Sequence, residues 1–201
     1  MYLLILQIHM FQFALLNLLL FVLNLVKSYH IYFSRGSFID KSMYSNFLRE
    51  LQAKLPDSNV EYQDYITWKG FSKNTILIGH SFGGFVSLLH TMNHPENVKA
   101  CVLLNSHFNH NTQMPYLRVS MHTIKQPVLC IFTDMDEQLP YEKVFQDWEV
   151  AVTNQMENKI FGFYTGTHFS MFTHKEQIDL VSDRIVKFIK QIEKNDENEE
   201  Q

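Results

Sequence analysis

The chain has 201 residues, enough for one domain with a substantial core and too few for two of ordinary size. Its 17 Lys and Arg stand against 21 Asp and Glu with no basic block, so a nucleic-acid surface has no electrostatic support. Aromatics reach 14% of the chain, which suits a large apolar core or pocket, and the two cysteines are too few for a disulfide framework.

Residues 3–26 come first in chain order. Nineteen of these 24 residues are apolar and none is charged, with Gln7, His9, Gln12, Asn17 and Asn24 as interruptions. The stretch has the length of a membrane span. It lacks a basic leading region and a small-x-small cleavage site, which argues against a secretory signal. A core strand begins almost at once behind it, which argues for a segment belonging to the body of the protein. A membrane anchor or signal-like segment over residues 1–26 and a docked apolar segment are therefore both open readings.

Residues 28–34 read as a strand and residues 35–38, Arg-Gly-Ser-Phe, as the turn leaving it. Asp40 or Ser42 can cap the helix that follows, in which Tyr44, Phe47, Leu48 and Leu51 recur at helical spacing until Pro56-Asp57 stops it. Residues 60–65 form a short second strand, and residues 66–74 a loop. The next run, Ile76-Leu77-Ile78-Gly79-His80-Ser81-Phe82-Gly83-Gly84, is an apolar strand ending in G-x-S-x-G and passing directly into a helical pattern of Phe85, Leu88, Leu89 and Met92. It predicts a strand, a sharp turn with Ser81 at its apex, and a helix. Gly79 and Gly83 stand where a Cβ would collide with such a turn.

The remaining elements alternate in the same way. Residues 99–105 and 127–133 are apolar strands containing Cys101 and Cys130, read as buried reduced thiols. Between them residues 107–126 are polar, rich in His and Asn, and a candidate for a small lid. Residues 134–140 form a loop and 141–156 a helix with Val144, Trp148 and Ala151 inward. Residues 159–164 are a last strand and 165–170 a loop. The final helix has Ile178, Val181, Ile185, Phe188, Ile189 and Ile192 on one face, and residues 194–201 read as a disordered acidic tail. This alternation predicts a mainly parallel sheet of about six strands covered by helices on both faces, with ligand chemistry at the carboxyl ends of the strands. Ser81, Asp136 and His168 each lie just after a strand, in that order.

Three motifs in this order resemble the α/β-hydrolase superfamily over residues 29–192. Gly79-His80-Ser81-Phe82-Gly83-Gly84 is similar to the GHSxGG elbow, residues 127–140 to the strand and loop bearing the acid, and Thr165-Gly166-Thr167-His168-Phe169 to the loop bearing the histidine. The resemblance implies a reduced α/β-hydrolase fold over residues 27–193 and a serine esterase or lipase. A serine hydroxyl needs a base to take its proton during attack, and the imidazolium formed needs a carboxylate. Ser81 is the candidate nucleophile, His168 the base and Asp136 the acid. The oxyanion hole would use the N–H of Phe82 and a donor from the 35–38 turn, with Ser37 the choice. The family's usual His-Gly in that turn is here Arg35-Gly36, a departure that puts the loop path in question.

Other residues compete for these roles. Asp134 is the rival acid, less well placed relative to Pro140. His174 is the rival base, but stands at or near the final helix, and Asp147 is mid-helix and solvated. His90 with His94, and His107 with His110, have metal-like spacings but lack a carboxylate or cysteine to complete a set, so neither a metal nor a cofactor is expected. His80 reads as a structural residue beneath the elbow. The expected partner is a small ester or lipid, with no nucleic acid, and membrane association would run through residues 3–26.

Overall fold

The structure is a computed structural model and describes Gln12 and residues 28–64, 71–106, 124–138 and 159–199. The apolar segment 3–26 apart from Gln12, most of the candidate lid and the expected helix at 141–156 lie outside the described residues.

Six strands form one parallel sheet among the described residues: β1 (His30–Ser34), β2 (Asn59–Tyr62), β3 (Thr75–His80), β4 (Val98–Leu104), β5 (Val128–Thr133) and β6 (Lys159–Tyr164). Their spatial order is β2-β1-β3-β4-β5-β6. The chain steps outward from β1 to β2, then returns past β1 to β3 and proceeds the other way. The reversal falls between β1 and β3, and parallel sheets open a ligand crevice at the carboxyl ends of two such strands. Here those ends carry the 35–38 turn and Ser81.

Strand periodicity explains how both faces are filled. Ile76 and Ile78 join one apolar cluster and Leu77 the other. The first cluster packs under α1 (Ser45–Lys54), the short α3 (Ser170–Thr173) and α4 (Lys175–Glu199), and the second under α2 (Phe82–Asn93). The expected inward face of the final helix, Ile178 to Ile192, is buried in the first cluster as drawn from its spacing. Each such side chain contributes about 1.5–3 kcal/mol when fully withdrawn from water. Asp40 caps the turn of 3-10 helix (Lys41–Tyr44) preceding α1 by accepting the Ser42 N–H at 2.8 Å.

Two expectations need correction. The stretch from residue 194, expected as a disordered tail, continues α4 as far as Glu199. Its Asp196 pairs with Lys99 at the end of the sheet, at 2.5 Å, so the acidic residues complete a helix that has an anchor. Residues 165–170, expected as a loop throughout, end in the first residue of α3. Among the described residues no helix is long and apolar enough to cross a membrane.

Candidate active site

Ser81 sits between β3 and α2 with φ 53° and ψ −122°, a conformation that costs a non-glycine residue about 1–3 kcal/mol. Its neighbours hold it there. The Ser81 N–H donates to the Leu104 carbonyl at 2.9 Å, and the Ser81 carbonyl accepts from Ser106 Oγ at 2.7 Å and from the Gly84 N–H at 3.1 Å. A Cβ on Gly79 would lie 2.4 Å from the Gly83 carbonyl oxygen, and one on Gly83 would lie 2.2 Å from the Arg35 carbonyl oxygen. Backbone stands on both sides, so only glycine lets strand, helix and the 35–38 turn meet around the serine. Phe82 opens α2, at a helical position whose N–H points out of the helix's own hydrogen-bond ladder.

The 35–38 turn forms the opposite wall. A Cβ on Gly36 would stand 3.2 Å from both Ser81 Cβ and His80 Nδ1, which places this turn directly against the elbow. Arg35, the departure from the usual His-Gly, points its guanidinium the other way, to the Ile39 carbonyl at 3.1 Å and the Asp64 carboxylate at 3.2 Å. The side chain at 35 braces the turn from outside, while the glycine beside it makes the close approach. The Gly36 N–H donates to Tyr44 Oη at 3.1 Å, and Ser37 follows at the tip, ahead of Phe38 with φ 59°.

Asp136 and His168 meet as the sequence order implies. His168 Nδ1 and Asp136 Oδ2 are 2.6 Å apart, both residues are about 95% buried, and Asp136 Oδ1 accepts the Gln138 N–H at 2.9 Å. A carboxylate facing Nδ1 sets the tautomer, so Nδ1 carries the proton and Nε2 presents its lone pair. Nε2 is buried with no hydrogen-bond partner among the described residues. It does not hydrogen-bond Ser81. The structure thus joins the Asp136 carboxylate to the His168 imidazole and sets the elbow beside them, with the His80 and His168 rings 4.6 Å apart, but leaves the contact between Ser81 and His168 unmade. Such contacts are often long in unliganded sites and close on substrate.

The rivals fall elsewhere. Asp134 is exposed and accepts the Gly166 N–H at 2.9 Å, supporting the loop that carries His168 without touching the imidazole. His174 is exposed just ahead of α4 and contacts Thr173. The His90 and His94 rings lie tilted against each other with centroids 4.5 Å apart, and Phe71 packs on His90. Burial and His94 together push His90 down to about 4. His107, His110 and Asp147 lie outside the described residues.

The sequence pointed to His80 as a structural residue beneath the elbow, but not to the partners of this histidine or to Tyr44, Asn105 and Thr133 beside it. His80 is fully buried, with Nδ1 3.0 Å from Tyr44 Oη and Nε2 3.2 Å from the His168 carbonyl oxygen. Burial, and then the nearby His168, hold its imidazole well below the ordinary range, and the bond to the His168 carbonyl offsets this only in part. Burial also raises the Tyr44 hydroxyl to about 12. Asn105 donates to the same His168 carbonyl at 3.0 Å and to Thr133 Oγ1 at 2.8 Å, and Thr133 Oγ1 donates to the Thr167 carbonyl at 3.0 Å. Asn105 and Thr133 each close an apolar strand, the same signal that singled out Ser81.

A sequence model of the family described as alpha/beta hydrolase fold matches residues 67–129. Among curated proteins no sequence matches the chain. Solved structures do. Est1E from Butyrivibrio proteoclasticus is 17% identical with a TM-score of 0.59, over 83% of this chain and 88% of its own. An esterase of Pyrococcus furiosus is 14% identical with a TM-score of 0.61, over 81% and 82%. The thioesterase domain from the curacin biosynthetic pathway is 9% identical with a TM-score of 0.59, over 78% and 92%. At such identities the likeness speaks for the fold alone. The chain has the α/β-hydrolase fold, in a reduced form with six strands among the described residues.

Proposed function

We propose that the chain is a serine hydrolase that cleaves carboxylic esters through an acyl-enzyme. The observation that carries this reading is the buried Asp136–His168 pair, 2.6 Å apart, on loops that adjoin the strained elbow of Ser81. Ser81 Oγ attacks the ester carbonyl while its proton passes to His168 Nε2, and Asp136 steadies the imidazolium. The oxyanion is met by the N–H groups of Phe82 and Ser37. The C–O bond to the alcohol then breaks, the alcohol leaving with the proton from His168. Water, deprotonated by the same imidazole, releases the acid and restores Ser81.

Apolar acyl groups suit the surroundings. Phe38, Phe82 and Met135 are three of the four exposed large hydrophobic side chains among the described residues, and they follow β1, β3 and β5 at the carboxyl edge. A lipase or carboxylesterase sense follows, and thioesters or amides can use the same triad. Residues 3–26 would supply membrane association. Deleting residues 1–26 should leave a soluble active enzyme if they are an anchor and an insoluble chain if they fill the body.

A fluorophosphonate probe tests the reading. It should modify Ser81 in the folded protein, Ser81→Ala should abolish labelling, and kcat should fall by about 10⁶ in that variant. The second reading is a catalytically silent binding protein on the same fold, favoured by the missing hydrogen bond between Ser81 and His168. Folded protein that takes no label would sink the first and leave the second standing. A panel of p-nitrophenyl esters of rising chain length, run beside acyl thioesters, sets the acyl preference.

A further inference from the structure

One buried chain of hydrogen bonds crosses beneath Ser81 from the 35–38 turn to the loop of His168, and its direction follows from its two ends. At one end the Gly36 N–H can only donate, so Tyr44 Oη accepts it. At the other the His168 carbonyl can only accept, so His80 Nε2 carries a proton. A neutral His80 then has a lone pair at Nδ1, and the Tyr44 hydroxyl hydrogen fills the one direction left, toward that nitrogen. No hydrogen in the chain has an alternative place. The ring of His80 is packed by Tyr44, His168, Phe169 and Phe172, with centroids 4.6 to 5.8 Å away, so it cannot turn over without opening the core.

The His168 carbonyl is gripped a second time by Asn105 Nδ2, whose amide is oriented because its Oδ1 accepts the Thr133 N–H at 2.8 Å. The backbone of the candidate base is thus held on one side by His80 and Asn105, and its side chain on the other by Asp136. The far end holds the residue immediately before Ser37.

We infer that Tyr44 and His80 are positioning residues that hold the oxyanion turn and the general base in mutual alignment across the site. Neither touches substrate. The inference rests on the serine hydrolase reading. Tyr44→Phe keeps the ring and its packing but leaves the Gly36 N–H without an acceptor and His80 Nδ1 without a donor.

The test measures turnover per site that reacts with fluorophosphonate, which removes any loss due to unfolded protein. In Tyr44→Phe, kcat per titrated Ser81 should fall about tenfold to a hundredfold, the scale of a small misplacement of catalytic groups, with KM within about threefold. His80→Gln, which can still offer an N–H to the His168 carbonyl, should retain more kcat per site than His80→Leu. Amide exchange at Gly36 and Ser37 should quicken at least about tenfold in Tyr44→Phe, since a hydrogen bond holding the turn is gone. Unchanged kcat per titrated serine in Tyr44→Phe, or equal losses in His80→Gln and His80→Leu, would overturn the inference while leaving the hydrolase reading intact. A wild-type protein that takes no label would remove both.

Discussion

Asp136 and Asp134 stand two residues apart on one loop, yet their surroundings assign them different work. Asp136 has one oxygen on His168 Nδ1 and the other on the Gln138 N–H, whereas Asp134 reaches only the Gly166 backbone of the facing loop. An asparagine at 136 can turn its amide N–H toward Nδ1 and impose the wrong tautomer on the proposed base. Asp136→Asn should therefore lower kcat by about 10⁴, while Asp134→Ala, which removes the acceptor of the Gly166 N–H, should leave kcat within about threefold and cost about 1 kcal/mol of stability, the worth of one hydrogen bond. Steady-state kinetics and urea unfolding on the two variants check this. An Asp136→Asn enzyme of near-normal rate would hand the acid role to Asp134.

At the scale of elements, the elbow is a junction where β3, α2 and the turn after β1 approach to backbone contact. Gly79→Ala places a methyl group 2.4 Å from the backbone of Gly83 and Gly84, where no side chain can yield. Overpacking of this kind against rigid backbone should cost about 3 kcal/mol or more, read as a lower urea midpoint. Gly83→Ala meets the Arg35 carbonyl oxygen at 2.2 Å, so it should also push away the turn that carries Ser37. Its fluorophosphonate labelling rate at Ser81 should fall further than that of a surface variant of equal stability, because the damage lies in the proposed oxyanion wall.

Across the whole molecule, burial of neutral histidines links folding to pH. His80 and His90 both have imidazoles held below the ordinary value of 6.5 in the native state, by burial in each case. Above that value neither state carries the proton and neither residue contributes to the pH dependence. Below it the unfolded chain binds protons that the native protein refuses, so stability falls as pH drops. The slope is about 1.4 kcal/mol per pH unit for each proton taken up on unfolding. The loss due to His90 ends near pH 4, where its native ring protonates as well. Urea midpoints at pH 8 and pH 5 should show the fall, and His80→Gln should flatten it; an unchanged slope in that variant would mean that His80 protonates freely in the folded protein.

Much of this was legible in the residues before any coordinates. Apolar runs of strand length, the glycines around Ser81 and the inward face of α4 are local patterns, each set by the geometry of its own element. The order Ser81, Asp136, His168, after β3, β5 and β6, was legible too, because a parallel sheet brings its carboxyl ends to one edge whatever the strand order. Tertiary structure decided the rest. Tyr44 and His80 are 36 residues apart, His80 and His168 88, and Asn105 and His168 63, and no spacing rule joins residues that meet only because β1, β3, β4 and β5 are neighbours. In the sequence Tyr44 was a core aromatic and His80 a buried companion of the elbow. Their hydroxyl and imidazole required partners once buried, and the sheet order alone determined which partners those were.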